Sequence, residues 1–252
     1  MKGSLKMKLK KQILVSGIAL LAAVTGCTNV ATFDYSDAPG SMAVFQEKGT
    51  AGKTVAVLPF MDQRGTGVRD PNEIGERGSL YLGFLPFMPF GYLIKGEPEK
   101  TDDFVSLGRF HFDPVNDLAN AASVSLKASN LFAKVIRANN LEQAQADYVW
   151  RGKLLSTAYR GNMYSYCITY FFSHIFWTIG VPSGTSWNRL AVRFELLDRK
   201  SGQVVWRYDF DREDSITHWI YARVGADCSM YALLMKLAMN QALKDLSAKM
   251  PN

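Results

Sequence analysis

The chain has 252 residues, with 29 Lys and Arg against 23 Asp and Glu, a formal net charge of +6. Five of those lysines stand in the opening "MKGSLKMKLKKQ", and without them 24 bases face 23 acids, a net charge near +1. A remainder so close to neutral carries no basic footprint for a nucleic acid, and its length fits one domain with sizeable insertions.

Behind the lysines, Ile13 to Val24 form an apolar run that ends on Thr25 and Gly26. A basic start, a short apolar core and small residues make up the layout of a secretory signal. The run is too short for a spanning helix, which needs about 20 apolar residues. "VTGC", with Val24 three residues before Cys27, resembles the lipobox of bacterial lipoproteins, where cleavage precedes the cysteine and its thiol is lipidated. That resemblance implies a signal peptide over 1–26 and acylation of Cys27. Thr28 in place of Asp implies transport to the outer membrane, with the domain facing the periplasm. One acyl chain holds only reversibly, at about 0.8 kcal/mol per buried CH2, and a triply acylated terminus holds firmly.

Residues 27–52, "CTNVATFDYSDAPGSMAVFQEKGTAG", are polar and aperiodic and read as a lipidated flexible tether. The periplasmic domain is expected over 53–252. "KTVAVLPF" is β-branched and apolar on both faces, a central strand stopped by Pro59. An apolar insertion near 79–96, "SLYLGFLPFMPFGYLIKG", is broken by Gly83, Pro86, Pro89 and Gly91 and cannot be a regular helix. Its Phe84 and Phe87 are candidate contacts to a partner or membrane.

"FDPVNDLANAASVSLKASNLF" gives a helix with Asp113 as N-cap and Pro114 at its first position. "AKVIRAN" is a short strand, and "ADYVWRGKLLSTAYRG" a strand from near Asp147, with Val149, Arg151 and Lys153 alternating against Tyr148, Trp150 and Leu154. "NRLAVRFELLDRKSGQVVWRYDFDRED" reads as a hairpin around "DRKSG". Leu190, Val192, Phe194 and Leu196 share a face with Val204, Trp206, Tyr208 and Phe210. "CSMYALLMKLAMNQALKDLSAK" is an amphipathic helix with apolar residues at 230, 233, 234, 237, 238, 242 and 246.

A second insertion, near 163–187, is aromatic: "MYSYCITYFFSHIFWTIGVPSGTSW". Tyr164, Tyr166, Ile168, Tyr170 and Phe172 alternate with Ser165, Cys167, Thr169 and Ser173. A half-buried strand shows that pattern, and so does a membrane β-strand. Only one such segment is present where a spanning hairpin needs two, which favours a flap over a sheet or a contact patch. Tyr164, Tyr166, Tyr170, Phe172 and Trp177 are the candidate contact residues.

With Cys27 assigned to lipid, Cys167 and Cys228 remain as an even pair in an oxidising compartment. A disulfide would close a loop of about 60 residues and contribute on the order of 3 to 4 kcal/mol; two free buried thiols are the other reading. A zinc site from Cys167, His174, His218 and Cys228 lacks the closely spaced pairs of structural sites. "GTSW" lacks the glycine of a nucleophile elbow, and Asp209 to Asp214, "DFDRED", lacks the ligand pattern of a calcium loop. No catalytic residues, metal or cofactor are expected, so the sequence does not read as an enzyme.

"TVAVLPF", "ADYVWRGKLLSTAYRG" and "RFELLDRKSGQVVWRYDF", in that order from Lys53 to about Ser247, resemble the periplasmic domain shared by CsgG, LpoB and the N-terminal domain of TolB. The resemblance implies an α+β fold, a single mixed sheet of about five strands packed on two main helices. It also implies a non-catalytic role in envelope assembly or export, with an envelope protein or a second copy as partner. CsgG-like proteins insert a membrane-spanning hairpin where this chain has its aromatic insertion. An oligomeric secretion-channel component is therefore the alternative expectation.

Overall fold

The structure, a computed structural model, describes residues 28–30, 52–65, 92–93, 103–105, 109–111, 113–164, 166, 168, 170–222 and 226–249. Three short strands, β1 (Thr28–Val30), β5 (Asp103–Val105) and β6 (Arg109–His111), make a small sheet in the order β1-β6-β5. The main sheet is mixed. It contains β2 (Thr54–Val57), β3 (Met61–Asp62), β4 (Tyr92–Leu93), β7 (Lys134–Arg137), β8 (Tyr148–Ser156), β9 (Tyr159–Met163), β10 (Gly184–Asp198) and β11 (Val204–His218). Helices α1 (Pro114–Ser129), α2 (Tyr170–Thr178) and α3 (Ala226–Lys249) complete the described elements.

The α+β class is as the sequence indicates, with more pieces. Eight strands replace about five: β3 and β4, two residues each, are too short for periodicity to register, and the stretch read as one strand from Asp147 is split into β8 and β9 at Thr157 and Ala158. Tyr92 and Leu93 of the 79–96 insertion form one of these two-residue strands: β4 pairs antiparallel with β9. Three residues of the expected tether form β1, parallel to β6.

The organising element is the hairpin β10–β11. Each strand has fifteen residues, about 50 Å at roughly 3.3 Å per residue. β10 is flanked on one side by β11 and on the other by β8 and then β9, which follow one another along it. Between them the register shifts at Ala191/Val192. Tyr231 of α3 donates from its hydroxyl to the carbonyls of Thr157 and Ala158, both at 2.9 Å, fixing that break to the helix.

The "DRKSG" turn closes as its composition suggests. Asp198 accepts from the amides of Lys200 and Ser201 at 2.9 and 2.8 Å, and Gly202 takes φ +69, a value that favours glycine. Those amide bonds, the one from Ser201 first, hold the Asp198 carboxyl below its usual pKa. One facing residue is displaced: a bulge pairs Val204 with Leu197 and leaves Val204 exposed, while Trp206, two residues on, meets Leu196 and is buried.

Leu190, Val192, Phe194, Leu196, Trp206 and Phe210 point at α1 and α3, and with Val55, Val57, Phe60, Trp150 and Leu154 they form the core. Trp150, fully buried, lies 5.4 Å from the Phe194 ring and 5.3 Å from Trp206. The Trp206 indole donates to Asp245 Oδ2 at 2.9 Å, which sets the last helix against the hairpin. α3 buries a wider arc than one apolar stripe, including Tyr231, Met235, Met239 and Leu243, because it packs on both the sheet and α1. α1 begins as read from the sequence: Asp113 accepts from the Asn116 amide and Pro114 opens the helix.

Gly152 carries a space constraint. A Cβ there would sit 2.5 Å from three ring atoms of Phe60, whose edge meets Phe194 at 6.1 Å. Gly152→Ala is therefore expected to destabilise by about 1 to 3 kcal/mol through overpacking; a denaturation midpoint equal to wild type would contradict this.

Candidate functional site

The second insertion is the connection of the β9–β10 hairpin, and between those strands its one regular described element is a short helix. The reading of 164–172 as an alternating strand is corrected: Tyr164, Tyr166 and Ile168 stand outside any strand, and α2 starts at Tyr170. Its run "YFFSHIFWT" is apolar at both two-residue and helical spacing, so tertiary contacts choose between them. Trp177 donates from Nε1 to the Tyr164 carbonyl at 3.1 Å, and Val181 N donates to Phe176 O at 3.2 Å. Gly180, at φ +97, supplies the left-handed residue that ends many helices.

The base of the insertion is stitched to the sheet. Tyr164 N donates to Ser183 O at 3.0 Å, and Ser183 donates from N and Oγ to the His218 carbonyl at 2.7 and 3.1 Å. Tyr166 holds φ +52, rare for a bulky residue; its hydroxyl donates to Pro182 O and its ring lies 5.7 Å from Phe176. Burial, with Tyr164 beside it, raises the Tyr166 hydroxyl pKa. His218 and Ser186, both buried, meet through Nε2 and Oγ at 2.7 Å beneath this stitching.

α2 therefore presents two unlike faces. Ser173 and Trp177, four residues apart, are buried against the domain, with Phe176 half-buried beside them. Phe172, Ile175 and Ile179, spaced by three and four, are 55%, 52% and 71% exposed. Tyr221, 71% exposed, joins them from the turn after β11 and donates from its hydroxyl to Thr178 O at 2.8 Å. The buried side carries Trp177 and Ser173, yet the exposed side keeps two isoleucines and a phenylalanine, where an ordinary surface helix is polar. A contiguous exposed apolar ridge of this kind marks an interaction surface.

The expected contact residues divide accordingly. Phe172 stands on the ridge, Trp177 faces inward, and Tyr164 and Tyr166 support the base. Tyr170 opens α2, and Cys228 lies in the first turn of α3. Cys27, Phe84, Phe87 and Cys167 lie outside the described residues. Ile175, Ile179 and Tyr221 were not expected. Counting three and four residues on from Phe172, up to the stop at Gly180, finds the two isoleucines.

Among the described residues no helix is long and apolar enough to cross a membrane, and no group of three or more His, Cys, Asp or Glu is placed to hold a metal ion.

No protein-family model and no curated protein matches the sequence. Among solved structures, PelC from Paraburkholderia phytofirmans, described as a dodecamer, is similar at 18% identity and TM-score 0.37 over 77% of this chain and 89% of that one. Protein XCC0632 from Xanthomonas campestris is similar at 11% identity and TM-score 0.35, over 87% and 90%. CT253 from Chlamydia trachomatis gives 12% identity and TM-score 0.29, over 78% and 94%. Scores this low carry no argument about function.

Proposed function

We propose that the chain is a lipid-anchored, non-enzymatic lipoprotein of the cell envelope, an assembly or export accessory whose α2 ridge docks on an envelope protein. The observation that carries this reading is the exposure of Phe172, Ile175 and Ile179 on a helix otherwise pinned to the sheet. Apolar side chains held outward by a stitched base are arranged for contact, and such patches mark interfaces. The leader and "VTGC" support the anchor at Cys27, with the outer membrane as the location and the domain on its periplasmic side. The alternative, a CsgG-like channel component, calls for two spanning strands at this insertion. The helical form of 170–178 favours docking over it.

The test is the double substitution Ile175→Asp with Ile179→Asp in cells. Both residues are more than half exposed, so the melting temperature should stay within a few degrees of wild type. The complex that the wild-type lipoprotein forms on native gels of envelope extracts should be lost. An unchanged complex in the double variant, with its fold intact, would overturn the docking role.

A further inference from the structure

The geometry points to a binding site for a phosphate group on the sheet face that the helices leave open. Strand alternation sends Arg151 and Lys153 of β8, Arg193 and Glu195 of β10, and Arg207 and Asp209 of β11 to that face. Register places them in two rows across three strands. Arg151, Glu195 and Arg207 stand opposite one another in the first, and Lys153, Arg193 and Asp209 in the second. Neighbouring strands lie about 4.8 Å apart and rows about 7 Å apart, so all six side chains converge on one small patch.

Among the described residues, four cations here meet two carboxylates, an excess of two positive charges. Glu195, 1% exposed, lies beneath the cations and uses both oxygens on them. Oε2 accepts from Arg151 Nε and Nη2 at 3.0 and 2.6 Å, and Oε1 from Lys153 Nζ at 2.8 Å and Arg207 Nη2 at 3.5 Å. Asp209 accepts from Arg193 Nε at 2.5 Å. Those bonds orient the guanidinium groups without consuming them: Arg151 Nη1, both Nη atoms of Arg193 and the rest of Arg207 have no acceptor among the described residues. The heads stay reachable, with side-chain exposures of 30% for Arg151, 32% for Arg193 and 53% for Arg207.

A group that neutralises two charges and accepts from several fixed guanidinium donors at once is a phosphate, since planar forked donors match its oxygens and the dianion balances the excess. A single carboxylate would leave half the excess in place. The phosphate comes either free in solution or on a lipid headgroup, and one chemistry serves both.

The test titrates the full lipoprotein in detergent with inorganic phosphate and, separately, with a water-soluble short-chain phosphatidate, against chloride at matched ionic strength. Melting temperature is the readout, because a ligand that binds only the folded state raises it. Phosphate should raise it where chloride does not. Arg207→Gln, which touches the cluster through one long contact, should weaken phosphate binding roughly tenfold or more. Arg193→Gln should act in the same direction and guards against a folding defect peculiar to one variant. Arg212→Gln, which removes the same charge from the opposite face, should leave binding unchanged. Tighter binding of phosphatidate assigns the site to a headgroup, and tighter binding of inorganic phosphate assigns it to the free ion. Equal responses to phosphate and chloride, unchanged affinity in both cluster variants, or an equal loss in Arg212→Gln would overturn the site. The α2 ridge takes no part in this experiment, so neither result bears on docking.

Discussion

Replacing Glu195 by glutamine should destabilise the fold by about 3 kcal/mol, the lower end of the range for breaking a buried ion pair, because Arg151 and Arg207 keep some solvent. The carboxylate is 1% exposed and is the common partner of Arg151, Lys153 and Arg207. Glutamine keeps its shape and removes the charge to which all three are bonded. Burial by itself works against ionising Glu195, yet the hydrogen bonds from Lys153 and Arg151 outweigh it and bring the pKa below the ordinary 4.5. A depressed folded-state pKa means that the contribution is present above the unfolded value and is lost as pH falls through the folded one. Wild type should therefore lose stability faster than the glutamine variant on acidification below about pH 4.5, and the difference between them should shrink. Urea unfolding over that range is the measurement; a constant difference down to strongly acidic pH would contradict the assignment.

Trp150→Ala should cost about 4 kcal/mol, within the range for emptying a buried aromatic site. Its ring sits between Phe194 and Trp206 at the centre of the core, so neither neighbour can fill the cavity without leaving the other. Trp150→Phe separates volume from polarity. The Trp150 Nε1 is buried with no hydrogen-bond partner among the described residues, and removing an unpaired buried donor regains about 1 to 3 kcal/mol. The phenylalanine variant should therefore fall much nearer to wild type than to alanine. Equal losses in the two variants would mean that the N–H is in fact satisfied.

What the sequence made legible follows from the range of each interaction. The β10–β11 hairpin is written in strict alternation and in the Asp198 and Gly202 of its turn, and the start of α1 in Asp113 and Pro114. All of these act within a few residues. α2 was not legible, because "YFFSHIFWT" suits two periods and the choice rests on Trp177 reaching Tyr164 and on the stop at Gly180. The exposure of Val204 depends on a bulge that composition does not announce. The Glu195 cluster was half legible: alternation put Arg151 and Lys153 on a polar face. Their partner lies 44 and 42 residues on, and only strand register brings it beneath them. Periodicity assigned the polar face correctly but could not rank it, since it does not reveal that one carboxylate is buried there.

Docking through the α2 ridge is the claim on which the functional reading stands, and site-specific photocrosslinking in living cells tests it most directly. A photoreactive residue at Ile175 or Ile179 should give one discrete adduct, with the same identified envelope protein at both positions. The same probe at Lys200, exposed in the hairpin turn at the other end of β10, should give none. Adducts that are absent at both ridge positions, or no stronger there than at Lys200, would contradict it.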